Sequence, residues 1–352
     1  YSLGANTTAS NNTAVGYQAV YSNTIGTWIT ALGYQSLYSA TAGPNIGLGY
    51  EAAYNTTTGS NNVAIGPYRA LYTNTTGGNN VAIGRDALYA NTTASNNTAV
   101  GYQSLYANTT GANNTGLGFK SGFANTTGVN NTFTGFQSAL ANTTGSNNTV
   151  FGKDSYISGT TASDNSAFGW QALYSTTGGS NSAFGAQAGQ NTSTGIQNSA
   201  FGQVSLYTNT SGQDNAAFGR AVLYNNSTGS YNTAVGSSAL GSNTTASNNT
   251  AVGYQTAYSN TTGNNSVFVG LQAGYSHTTG AQNVAIGDRP MFAGAVSGNF
   301  NNAVGAFALR YLTSGSSNVA IGNEALQANT TASNNTAVGY QSLYANTTGH
   351  SN

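Results

Sequence analysis

Apolar residues along this chain come in short bursts, and each burst closes on a glycine. In Asn96-Asn97-Thr98-Ala99-Val100-Gly101 a polar β-branched residue, a small residue and a large β-branched residue follow one another. Such alternation is the signature of a short strand with two unlike faces. The position before the glycine holds Val15, Leu32, Leu48, Ile65, Ile83, Val100 and Leu117, then Phe151, Phe168, Phe184, Phe201 and Phe218, then Val235, Val252 and Ile286. Thr134 is its one polar occupant. With its large residues pointing one way, this position is assigned to the core.

Two tolerant positions follow the glycine, then a small residue (Ala19, Ser36, Ser104), commonly Leu (Leu37, Leu88, Leu105) and commonly Tyr (Tyr38, Tyr89, Tyr106). Five residues carry too little periodicity to separate a strand from one helical turn; the segment is read as a second strand. Asn-Thr-Thr-Gly or Asn-Thr-Thr-Ala, followed by Ser-Asn-Asn, then supplies residues that tolerate left-handed and side-chain-bonded turns. That is the return loop.

The closing glycines are Gly16, Gly33, Gly49, Gly66, Gly84, Gly101, Gly118, Gly135, Gly152, Gly169, Gly185, Gly202, Gly219, Gly236, Gly253, Gly270, Gly287, Gly305, Gly322 and Gly339. Positions 16 and 339 lie nineteen steps apart, which gives 17 residues per step, and no step departs from that by more than one. Seventeen residues cannot bury an apolar face alone, so neighbouring repeats must stack and share one core. The predicted fold is all-β: a β-solenoid, of β-roll or β-helix type, with about twenty stacked coils forming one continuous array over residues 1–352. Strands about 4.8 Å apart along the stack would align Asn11/Asn12, Asn61/Asn62 and Asn96/Asn97 into amide ladders. Residues 91–111 and 329–349 are identical, and 6–18 matches 243–255, which points to growth by duplication. The sequence begins and stops inside a repeat without a polar cap, and is read as a segment of a longer fibre.

Composition narrows the function. Charged residues are 4% of the chain, seven basic against seven acidic, so nothing resembles a basic stripe for phosphate neutralisation and nucleic acid is not an expected partner. Eleven of the fourteen charges fall one to three residues after the glycine, a phase therefore assigned to water. There is no cysteine and no apolar run of about 18 residues, so neither disulfides nor a membrane-spanning segment is expected here. The two histidines, His277 and His350, both fall in the loop phase and are read as solvated. Catalysis needs converging acid, base or nucleophile groups, and none converge; the chain is not expected to be an enzyme. Gly152-Lys153 is followed by Asp154 and lacks the spacing of a phosphate loop, and seven acids over twenty coils cannot furnish a calcium ligand per coil. No metal and no cofactor are expected.

Two surface chemistries remain. Asn91, Asn108, Asn142 and Asn346 in Asn-Thr-Thr, with Asn96 and Asn334 in Asn-Asn-Thr, satisfy the acceptor pattern for N-glycosylation. The same residues are good turn formers, so the pattern also arises from composition alone. Tyr17, Tyr34, Tyr102, Tyr254 and Tyr340 directly follow the glycine, and Tyr21, Tyr38, Tyr106 and Tyr344 lie four residues further on. They form either an aromatic stripe able to stack on sugar rings or a ladder shielding the coil edge.

The coils Asn62-Val63-Ala64-Ile65-Gly66, Asn80-Val81-Ala82-Ile83-Gly84, Asn283-Val284-Ala285-Ile286-Gly287 and Asn318-Val319-Ala320-Ile321-Gly322 resemble the head repeats of trimeric autotransporter adhesins. The chain also resembles the repeat regions of bacterial and phage tail-fibre-like proteins. The first resemblance implies a left-handed parallel β-roll, trimerisation and matrix binding, although that family's repeat is typically shorter and the surplus here falls in the Asn-Thr-Thr-Gly loop. The expected role is structural: a rigid stalk of an extracellular microbial fibre or filament, at a cell or virion surface, self-associating end to end or as a trimer. The alternative is an adhesin head or phage tail-fibre module that binds a surface glycan.

Overall fold

A computed structural model describes all residues, 1–352. It is a parallel β-solenoid with twenty short strands and no helix. Two units are distinguished, residues 1–177 and 178–352. The first runs from β1 (Thr13–Val15) to β10 (Ser166–Phe168), the second from β11 (Ser182–Phe184) to β20 (Thr336–Val338). Within each unit every strand pairs in parallel with the strand one coil away, as in Thr98↔Thr115, Ala99↔Gly116 and Val100↔Leu117 of the first and Ser199↔Ala216, Ala200↔Ala217 and Phe201↔Phe218 of the second. The 17-residue period of the sequence is thus the register of the sheet.

Most strands are three residues long, because the glycine that follows leaves the extended conformation: Gly101 has φ 134°. A Cβ there would also collide with the carbonyl oxygen of Gly118 in the next coil, so conformation and clearance both demand glycine. Gly66 alone among the repeat glycines has no positive φ. Pro67 follows it, the residue before proline favours extended backbone, and the strand Asn62–Tyr68 runs on through both.

The strand is turned over relative to the sequence reading. Ala99 is fully buried and Leu105 likewise, whereas the large pre-glycine residues point outward: Val15, Leu117 and Phe218 are 56%, 37% and 39% exposed. The reason is the thinness of the coil. A Cβ placed on Gly116, at the alanine phase, would lie 2.6 Å from Ser104 Oγ and 2.8 Å from Leu105 Cγ, so the opposite wall stands within a methyl's reach and leaves no room for a large side chain against Leu105. Where a coil breaks this size rule it compensates. Phe133 takes the alanine phase opposite Gly122, and Phe268 does so opposite Gly274. Alternation identifies the strand; size, not hydrophobicity, decides which face is inside.

The segment after the glycine is neither a strand nor a helical turn. It is a run of turns in which every second residue is left-handed, such as Gln103 at φ 51° and Leu105 at φ 49°. Bulky residues adopt this region at a cost. Here Leu105 gains a fully buried side chain and an N–H bond to the Ser121 carbonyl, 2.9 Å away in the next coil, while the Gln103 N–H donates to Arg85 in the previous one at 2.9 Å.

Two asparagine rows line the interior. The Asn114 N–H donates to Asn97 Oδ1 at 2.8 Å, and Asn97 Nδ2 donates to the Gly111 carbonyl at 3.0 Å. From the Asn-Thr-Thr row, Asn108 Nδ2 donates to Asn91 Oδ1 at 3.0 Å and to the same Gly111 carbonyl at 2.9 Å. Both rows are fully buried there, and the loop they brace is held from two sides. A buried amide that keeps its hydrogen bonds avoids the desolvation penalty of about 1–3 kcal/mol that an orphaned one carries.

Candidate functional site

The outward face of the strands carries a row of large apolar residues. In the second unit Phe184, Phe201 and Phe218 stack with ring centroids 4.7 and 5.0 Å apart, and Val235, Val252 and Ile286, each close to 38% exposed, continue the row. In the first unit the same row holds Ile83, Leu117 and Phe151. No charged residue occupies either outward strand position in any coil.

The tyrosines form two stacked columns. Tyr17, Tyr34, Tyr50 and Tyr68 follow one another at 5.3, 5.1 and 5.2 Å, and Tyr102 continues into Phe119 at 5.2 Å. The second column runs Tyr21, Tyr38, Tyr54, Tyr72, Tyr89 and Tyr106, its neighbours 5.0 to 5.5 Å apart. Tyr17 and Tyr34 are exposed, at 57% and 41%, as are Tyr102, Tyr254 and Tyr340. Within a column, however, each ring covers its neighbour's face, and a sugar stacks on a face rather than on an edge. Free faces arise where a column is broken.

One such break lies in the second unit. Tyr207 and Tyr224 stack at 5.0 Å and Tyr258 and Tyr275 at 5.5 Å, but the coil between them has Gly241 where the ring would be. A cleft of about 410 Å³ opens there, lined among others by Gln203, Arg220, Tyr224, Asn225, Ser238 and Tyr258. Tyr258 leans into the gap: a Cβ on Gly241 would lie 3.0 Å from its Cε2. In the sequence the cleft is marked only by a glycine, Gly241, in a tyrosine phase.

Most charges after the glycine are exposed or half-buried, as expected of that phase, but two are not. Glu51 and Asp86 are buried, at 8% and 7% exposure. Each is held by an arginine, Arg69 Nε to Glu51 at 2.7 Å and Arg85 Nε to Asp86 at 3.3 Å, and the hydrogen bond to Glu51 raises the Arg69 pKa. Lys153 pairs with Asp154 at 3.9 Å and Arg289 with Asp288 at 3.8 Å. Arg220 is exposed, forms no ion pair, and stands at the cleft.

The six sequon asparagines separate into two groups. Asn91, Asn108 and Asn142 are fully buried, and their Nδ2 atoms donate both to the asparagine oxygen one coil back and to a loop carbonyl three residues on. A glycan on that nitrogen would displace the row, so in the folded coil these three are closed to attachment. Asn96 and Asn334 are exposed and Asn346 is partly so.

His277 is also not where its loop phase suggested. It is fully buried in the inner row, with Nδ1 3.1 Å from Asn260 Oδ1, Nε2 3.1 Å from Asn283 Nδ2, and its ring 4.8 Å edge-on to Phe268. The partners fix the neutral tautomer: Nδ1 donates to the Asn260 oxygen and Nε2 accepts from the Asn283 amide. Burial pushes its pKa down to about 4. His350 is exposed, as expected.

No group of three or more His, Cys, Asp or Glu side chains is placed to hold a metal ion, and no helix is long and apolar enough to cross a membrane. No protein-family model matches the chain, and no curated protein matches it.

Proposed function

We propose that this chain is a load-bearing segment of an extracellular microbial fibre, stiffened by coil stacking and associated side by side with further copies of itself through the outward face of its strands. The observation that carries this reading is the apolar row of Phe184, Phe201, Phe218, Val235, Val252 and Ile286. Burying apolar surface yields roughly 25 cal/mol per Å², and contiguous exposed apolar surface of this kind marks an association site. The row contains no charge that would direct it to a charged partner, and a second copy presents the same row. The resemblance to trimeric adhesin heads adds support for three copies.

Sedimentation of the wild-type chain and of Phe201→Lys tests the proposal. Wild type should sediment as an oligomer and the variant as a folded monomer with an unchanged circular-dichroism spectrum, since Phe201 projects away from the core. A wild-type chain that stays monomeric at high concentration overturns the lateral association, and compact globules in electron micrographs overturn the fibre.

A further inference from the structure

We infer that the cleft at Gly241 binds a pyranose ring bearing a carboxylate, a hexuronate residue of an acidic polysaccharide. The inference stands on the cleft alone and survives or fails independently of lateral association. Three observations converge on it. First, the rings on either side of Gly241 stack away from it, Tyr207 with Tyr224 at 5.0 Å and Tyr258 with Tyr275 at 5.5 Å, and Gly241 puts no ring between the two pairs, so Tyr224 has no stacking partner on that side, beside a gap of one coil. Tyrosine faces are natural platforms for the C–H face of a sugar. Second, the cleft is about 410 Å³, within the range of small-ligand sites and roomy for one sugar ring with its chain continuing into solvent. Third, the polar groups match. Gln203, Asn225 and Ser238 offer donors and acceptors for hydroxyls, and Arg220 offers an unpaired guanidinium fork whose geometry suits a carboxylate.

Arg220 is the feature that makes the ligand acidic rather than neutral. It is an exposed charge without an ion pair, whereas Lys153 of the first unit has Asp154 and Arg289 of the second has Asp288. The coil before it carries Gln203 at the same phase, so the coil does not need an arginine there to fold.

The test is titration of the full chain with tetragalacturonate and with its neutral methyl ester, followed by calorimetry. Wild type should bind the acid at least about tenfold more tightly than the ester, the scale of a charge-assisted bidentate pair. Arg220→Gln, which copies Gln203, should lose that preference. Gly241→Tyr, which copies Tyr224 and Tyr258 and refills the column, should abolish binding of both. Each variant installs a residue that a neighbouring coil already carries, and an unchanged melting temperature verifies that the fold is intact. Absence of binding to wild type at millimolar tetragalacturonate overturns the inference. So does equal affinity for acid and ester, or undiminished binding by folded Gly241→Tyr.

Discussion

Tyr156 fills the space that Gly159 vacates. The coil has glycine where the inner row would have asparagine, and Tyr156, at the leucine phase, sends its ring into the gap so closely that a Cβ on Gly159 would overlap it. Its hydroxyl donates to the Ala162 carbonyl at 3.0 Å and accepts from Asn165 Nδ2 at 3.1 Å, replacing bonds an asparagine would make. Burial raises the pKa of this phenol to about 12. The repair is incomplete on one side: Asn142 Oδ1, which would face that asparagine, is buried without a partner.

The pair should therefore be strongly coupled. Tyr156→Leu alone leaves a cavity and is expected to cost about 2–4 kcal/mol, and Gly159→Asn alone is expected to cost at least as much by colliding with the ring. The double variant restores the repeat consensus and gives Asn142 a partner, so its stability should lie within about 1 kcal/mol of wild type. Chemical denaturation of the four proteins checks this; additive losses would refute the coupling.

Gly101 and Gln103 make opposite predictions within one coil. Gly101→Ala places a Cβ at φ 134° against the Gly118 carbonyl and is expected to cost more than about 3 kcal/mol. Gln103 sits at φ 51°, where removing the side chain relieves strain while the freer unfolded chain offsets the gain. Gln103→Gly should remain within about 0.5 kcal/mol of wild type. Thermal melts of the two variants distinguish these outcomes.

His277 should make the second unit acid-sensitive. Its pKa is lowered from 6.5 to about 4 in the folded chain, so between those values the unfolded chain binds the proton and the folded chain resists it. Stability is complete above pH 6.5, falls as pH drops toward 4, and is then lower by about 3 kcal/mol. His277→Asn continues the inner row without a titrating group. Denaturation midpoints of wild type should decline through this window relative to those of the variant; parallel pH profiles would refute the assignment.

Produced in a glycosylating host, the chain should carry sugar at Asn96 and not at Asn108. Asn96 is exposed, whereas Asn108 gives its amide to Asn91 and Gly111. Peptide mass spectrometry reads occupancy at both sites directly, and modification of Asn108 in folded protein would contradict the buried row.

The period, the strands and the asparagine rows were legible because each rests on one residue type at a fixed phase: glycine at Gly101, Thr-Ala-Val at Thr98, asparagine at Asn97. What was not legible is what depends on the size of the space. Thr98-Ala99-Val100 alternates equally well with either face inside, and hydrophobicity chose Val100, whereas the narrow interior admits only Ala99. The left-handed Leu105 runs against local preference and is imposed by bonds to the next coil. The cleft was hidden for a different reason. It is made by what Gly241 lacks, and its absence acquires meaning only beside Tyr224 and Tyr258.

The inner rows also bear on how such a chain changes length. Each asparagine accepts from the coil that follows, as Asn97 does from the Asn114 N–H, and Asn114 repeats the act with Asn131. A coil thus receives the same set of bonds it hands on. Deleting or copying a whole coil leaves no donor or acceptor stranded, and a single extra residue is absorbed between rungs, since the Asn80 N–H still donates to Asn62 Oδ1 across 18 residues. Length becomes a quantised trait, adjustable in steps of one coil at almost no energetic penalty, and the identical stretches at 91–111 and 329–349 are what recombination between interchangeable units would leave behind.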